Sequence, residues 1–143
     1  RIGFIAVNPA IDSLELLLGG LVMCNRTLGF VNAPAFIQRV LPKVLNVGVN
    51  VAEYQRKRDL LCDGLAACGY EFTKPEGAFY LFPKSPVADD VEFVRALQKK
   101  NILTVPGSGF GAPGYFRIAY CVDDATIVNA MQGFGEVIRA MRK

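Results

Sequence analysis

The sequence predicts an α/β chain of the small α+β kind, in which a long helix leads into a small sheet covered by helices. Three observations carry this reading. Residues 51–68 form a capped helical stretch, short apolar or aromatic runs at 77–82, 102–105 and 115–121 suit strands, and the closing residues stack apolar side chains at steps of four and three. With 143 residues, 52% of them hydrophobic and 20% charged, the chain has the size and composition of one globular domain. A chain of that size buries roughly two-thirds of the surface its unfolded form exposes.

Ile2-Gly3-Phe4-Ile5-Ala6-Val7, bounded by Asn8-Pro9, predicts a buried strand stopped by a residue that cannot join a ladder. Asp12 and Ser13 offer N-caps to a helix that runs to about Arg26 on Leu14, Leu17, Leu18 and Leu21. Residues 29–34 read as a turn, after which Pro34 with Ile37, Val40 and Leu41 opens a second helix, broken near Pro42 or Gly48. Asn50 and Glu53 resemble a capping box for the helix at 51–68, which Gly69 ends. Tyr54, Leu61, Leu65 and Cys68 share one stripe of it, while Gln55-Arg56-Lys57-Arg58 places its charges mostly on the solvated side. This helix, about 27 Å long, can carry the chain from one structural unit to the next. The boundary is expected near residue 48, dividing residues 1–47 from 48–143.

Beyond the aromatic strand, Asp89 and Glu92 open a short helix bearing Val91, Phe93, Val94 and Leu97. Asp123 caps the last helix, which carries Ile127, Met131, Phe134, Ile138 and Met141 on one face and is weakened by Gly133 and Gly135.

Composition excludes several chemistries. The chain has no histidine, so it supplies no Ser-His-Asp triad, no Cys-His pair and no histidine metal site. The net charge of +3 comes without a dense basic stripe, which argues against a nucleic-acid partner. The run 14–24 is too short and too interrupted to span a bilayer, so no membrane association is expected. Cys24, Cys62, Cys68 and Cys121 lack C-x-x-C spacing and read as packing residues of a protein in a reducing compartment. The chain starts at Arg1 without a methionine or a leader and is expected to be a piece of something longer.

Two features carry candidate chemistry. Residues 106–114, Pro-Gly-Ser-Gly-Phe-Gly-Ala-Pro-Gly, lack the spacing of a dinucleotide fingerprint and precede a strand, so their glycines serve positive φ angles or close backbone approach. Just beyond, Arg117 lies between Phe116 and Ile118 in a strand and must find a partner for its planar fork of donors. That partner is either a ligand carboxylate or an internal carboxylate such as Asp89, Asp90 or Glu92.

Arg1 to Pro9, then Asn32-Ala33-Pro34, Pro75-Glu76-Gly77-Ala78-Phe79-Tyr80, Val105 to Gly111, and Phe116-Arg117-Ile118-Ala119 follow one another in the order seen in class I/II aminotransferases. The chain resembles the carboxy-terminal part of these pyridoxal-phosphate enzymes of fold type I, the aspartate aminotransferase superfamily, over essentially its whole length. The resemblance implies that Arg1 contacts the cofactor phosphate, that Arg117 holds the substrate α-carboxylate, and that Phe79 walls the substrate pocket. Asn32 and Arg26 are implied to serve the neighbouring subunit's site in a homodimer. It further implies residues 1–47 as the edge of a large cofactor domain and 48–143 as most of the small domain. Pyridoxal 5'-phosphate, amino acids, 2-oxo acids and a cytoplasmic location come with it. The cofactor lysine falls before residue 1 in this family, and Lys43, Lys57, Lys74, Lys84, Lys99 and Lys100 read as solvated surface lysines. The isolated chain is therefore expected to be inert. The same fold supports carbon-sulfur lyases and decarboxylases, and a non-catalytic binding or dimerisation module is the remaining alternative.

Overall fold

The computed structural model describes residues 2–142. The chain divides into two compact units, Arg1–Val49 and Asn50–Lys143.

In the first unit, helices α1 (Leu14–Thr27) and α2 (Ala35–Val44) follow an extended segment, and neither helix has a buried residue. Ile2 to Val7 form no strand, contrary to the sequence reading, and Phe4 is 92% exposed. The physical reason is pairing: a strand needs a ladder partner for its N–H and C=O groups, and this unit has no strand among its described residues. Ser13 is the N-cap of α1, but in a left-handed conformation and without a side-chain hydrogen bond to the helix. Helix α2 contains Pro42 and ends two residues later at Val44, between the two positions where a break was expected. The cost of the proline falls on the turn before it, where Pro42 has no N–H to donate to the Gln38 carbonyl four residues back.

The second unit opens with α3 (Val51–Ala67), where the Asn50 side chain accepts a hydrogen bond from the Glu53 N–H at 3.3 Å. The Glu53 carboxylate does not return the bond in the manner of a capping box; it pairs with Lys57 at 3.0 Å. Gly69 follows the helix at φ +88, the left-handed conformation that a helix-ending glycine adopts without strain. The basic cluster departs from its expected solvated face: Arg56 is exposed and pairs with Asp124, but the side chains of Lys57 and Arg58 are largely covered. Their long stems lie along the protein while their heads reach Glu53 and Asp59.

Strands β1 (Tyr80–Leu81), β2 (Val105–Pro106) and β3 (Phe116–Ala119) form an antiparallel sheet in the order β1-β3-β2, each shorter than the run that signals it. The runs 77–82 and 102–105 extend beyond the pairing because only residues facing β3 are paired. The register sets Tyr80 against Ala119, Leu81 against Ile118, and Val105 against Arg117. Helix α4 (Asp90–Gln98) is capped by Asp89, whose carboxylate accepts from the Glu92 N–H at 2.8 Å, and α5 (Asp124–Met141) closes the chain.

Leu61 and Leu65 of α3, Phe93 and Leu97 of α4, Phe134 and Ile138 of α5, and Leu81, Phe116 and Ile118 of the sheet make one buried cluster. One of the two glycines expected to weaken α5 has a packing role, since a Cβ on Gly133 would lie 2.6 Å from the Ile102 side chain. All four cysteines are free: Cys62 is buried and Cys68 partly so, whereas Cys24 and Cys121 are exposed and do not pack as expected. Among the described residues no helix is long and apolar enough to cross a membrane, and no group of three or more His, Cys, Asp or Glu side chains is placed to hold a metal ion.

Candidate substrate-carboxylate site

Strand alternation decides what Arg117 can meet. On β3, Phe116 and Ile118 turn to the core, so Arg117 and Ala119 take the opposite face of the central strand. On β1, Leu81 is buried and Tyr80 shares the outer face with Arg117. The guanidinium carbon of Arg117 lies over the Tyr80 ring at 4.4 Å from its centroid, and over the Phe110 ring at 4.4 Å. Such contacts are worth about 0.5–1 kcal/mol each at exposed sites and more when desolvated.

The glycine-rich segment places Phe110. Residues Gly107–Phe110 make a tight 3-10 turn after β2, and the Gly107 N–H donates to the Tyr115 carbonyl at 2.8 Å, closing the segment onto the start of β3. A Cβ on Gly107 would lie 2.8 Å from that same oxygen and closer still to the Ala112 carbonyl, so the backbone approach requires glycine. Gly111 and Gly114 have φ angles of +72 and +80, so both proposed uses of the glycines occur in one loop. Phe110 also packs edge-on against Phe82, whose ring stacks on Tyr115 at 5.8 Å.

Of the three carboxylates considered as internal partners for Arg117, two are engaged elsewhere, and none of the three pairs with it. Asp89 caps α4, and the buried Asp90 accepts a hydrogen bond from the Ser108 N–H at 2.6 Å, tying α4 to the glycine-rich turn. Among the described residues Arg117 forms no ion pair, while Arg56, Lys57, Arg58, Lys74, Lys84 and Lys100 all do. Lys57, expected to be a solvated surface lysine, is only 15% exposed in its pair.

Phe79 is 38% exposed, with its ring 4.5 Å from that of Tyr80, so it adjoins the Arg117 group without touching the core. Arg1 lies outside the described residues. Asn32 lines an apolar cleft of about 660 Å³ within the first unit, and Arg26 is exposed in the last turn of α1. Tyr80 and Phe110 escaped the sequence reading as partners of Arg117. The signal for Tyr80 was present in the strand alternation, since antiparallel pairing with Leu81 and Ile118 inward puts Tyr80 and Arg117 on one face.

The fold is one already seen in an aminotransferase. A solved amino transferase from Eubacterium rectale superposes with a TM-score of 0.85 at 34% identity, covering 96% of this chain and 34% of that one. The aspartate/prephenate aminotransferase of Thermus thermophilus is 38% identical over 87 residues, 59% of this chain and 23% of the relative. A probable aspartate aminotransferase of Methanocaldococcus jannaschii is 32% identical over 139 residues, 92% of this chain and 36% of its own length. The chain thus spans about a quarter to a third of the curated relatives it matches. The model of aminotransferase classes I and II matches residues 1–134, and the chain belongs to that family. The cofactor of the family in general is pyridoxal phosphate.

Proposed function

We propose that this chain is the carboxy-terminal region of a pyridoxal-phosphate-dependent amino-acid aminotransferase, and that its part in the reaction is to hold the carboxylate shared by amino-acid and 2-oxo-acid substrates. One observation carries the reading. The Arg117 guanidinium carbon lies over the rings of Tyr80 and Phe110, and no carboxylate among the described residues forms an ion pair with it. A fork held in this way keeps its paired N–H groups for a planar anion, and a carboxylate accepts them with two parallel charge-assisted bonds. Orientation follows from rigidity, since Arg117 sits on the central strand of the sheet. A substrate fixed at its carboxylate presents its amino-bearing carbon in one direction only.

The described residues do not by themselves fit the cofactor. Among the described residues the cleft of the first unit is lined by apolar side chains with Asn25 and Asn32 and by no lysine or arginine, so these residues offer neither a cation for the phosphate nor an amine for the carbonyl carbon. Arg1 is the residue proposed for the phosphate. On this reading residues 1–47 belong to the edge of a large domain, 48–143 form most of the small domain, and the 143-residue chain alone is inert. The full-length protein is a cytoplasmic homodimer in amino-acid metabolism, with Asn32 and Arg26 serving the partner's site and Phe79 walling the substrate. The four free thiols accord with a reducing compartment.

The test is Arg117→Lys in the full-length protein loaded with pyridoxal phosphate. Loss of the bidentate bond is expected to raise KM for amino acid and 2-oxo acid alike by roughly 10- to 100-fold. An unchanged KM for both would overturn the assignment of Arg117, and ammonia release in place of keto-acid exchange would overturn transamination.

A further inference from the structure

We propose that Tyr120, with Arg58, is a positioning residue for the carboxylate site: together they hold the 75–79 segment in the conformation that sets Tyr80 against Arg117. This rests on the reading of Arg117 just given and adds residues that touch no substrate.

Ala78 has a φ of +60, one of the few non-glycine residues here in the left-handed region. That conformation costs an alanine of order 1 kcal/mol and persists only where the surroundings enforce it. Tyr120 enforces it from two atoms. Its hydroxyl donates to the Ala78 carbonyl at 2.9 Å, and its backbone N–H donates to the Phe79 carbonyl at 3.0 Å. Both carbonyls that flank the turn are therefore held by one residue, which is itself 2% exposed and follows directly on β3.

Arg58 holds the other end of the segment. Its guanidinium donates to the Pro75 carbonyl at 3.1 Å and is braced by Asp59 at 2.8 Å, a carboxylate that Lys74 also meets at 2.7 Å. Proline 75 thus begins the segment on a charge-assisted bond from α3, and Phe79 ends it on β3's continuation. The next residue, Tyr80, is the one whose ring lies on Arg117. A release of either tether frees Ala78 to leave the left-handed region, and the change in backbone direction is passed to Tyr80 two residues on.

The tests use the full-length enzyme with pyridoxal phosphate, and the 143-residue chain for hydrogen exchange. Tyr120→Phe and, separately, Arg58→Met are expected to raise KM for the amino acid roughly three- to tenfold, the effect of one lost hydrogen bond, with kcat little changed. In the chain, amide exchange around residues 78–80 should accelerate in both variants. A merely structural role would lower stability without this KM effect and without dependence on Arg117. In the Arg117→Lys background, Tyr120→Phe should therefore have a smaller effect on KM than in the wild type. If Arg117→Lys raises KM while Tyr120→Phe and Arg58→Met leave it unchanged, the positioning role is overturned and the carboxylate reading stands. If Arg117→Lys leaves KM unchanged, both fall. Should Tyr120→Phe fail to fold, Arg58→Met with its exchange pattern decides the matter alone.

Discussion

Residues 2–49 are the more apolar part of the chain, with only Asp12, Glu15, Arg26, Arg39 and Lys43 charged, yet neither α1 nor α2 has a buried residue. The second unit carries most of the charge and has a closed core built from α3, α4, α5 and the sheet. The difference lies in layers. An amphipathic element gains from burial only when another element opposes its apolar face. The second unit has a sheet with helices packed on it. The first has two helices and an extended segment, and Phe4, Leu16, Met23, Phe30 and Phe36 are exposed. Composition sets how much apolar surface is present, and architecture sets where it goes.

The largest expected effect separates the units outright. Residues 50–143 as a separate polypeptide should unfold in one cooperative transition followed by near-ultraviolet circular dichroism, whereas residues 1–49 alone should show none. A cooperative transition in 1–49 would break the contrast. Next comes truncation within the core: Phe134→Ala, at a side chain with no exposed surface, should cost about 3–5 kcal/mol. Phe4→Ala should leave the denaturant transition of the 143-residue chain unmoved to within about 0.5 kcal/mol.

Glycine substitutions sharpen the contrast at smaller magnitude. Gly107→Ala meets backbone oxygens of Ala112 and Tyr115 and should cost about 1–3 kcal/mol. Gly19→Ala in α1 meets nothing within 4 Å, and should raise helicity in the first unit with a gain of up to about 1 kcal/mol. A thermal melt of the chain checks the first, and the helicity of residues 1–49 at one fixed temperature checks the second.

The smallest effect is one of pH. Hydrogen bonds from Arg58 and then Lys74 hold the Asp59 carboxyl below the ordinary carboxylate range, and Arg56 does the same for Asp124. A depressed folded-state pKa contributes stability above the ordinary value, about 4, and that contribution is lost as pH falls through the lower folded value. The melting temperature of the second unit should therefore decline as pH drops below about 4, and Asp59→Asn should flatten that decline. The effect is modest because both groups are solvated.

Much of the second unit was legible because its signals are local. Asn50 and Asp89 as caps, Gly69 as a helix stop, and the Leu61–Leu65 stripe depend on neighbours a few residues away. The run Ile2 to Val7 misled for the opposite reason, since an apolar β-branched stretch becomes a strand only beside another strand. At the candidate site, Arg117 and Phe79 are proposed from residue type and family pattern. Strand alternation alone places Tyr80 on the outer face, but its match to Arg117, 37 positions away, needs the pairing of β1 with β3, and Phe110 reaches Arg117 only through the fold of the 107–110 turn. Asp90 looked like an ion-pair partner by charge alone, and its hydrogen bond to the Ser108 N–H became visible only with the turn in place.

The amino-acid order therefore accounts for the family, the helices with their caps, the glycine-rich turn and the need of Arg117 for a partner, since each follows from short-range sterics, hydrogen-bonding capacity or a motif. Packing between distant segments accounts for the rest: the ends of the strands, the aromatic rings on the Arg117 guanidinium, and the hold of Tyr120 on Ala78. Those depend on which residues the sheet brings opposite one another, and pairing over long sequence separations is decided by burial of the whole unit.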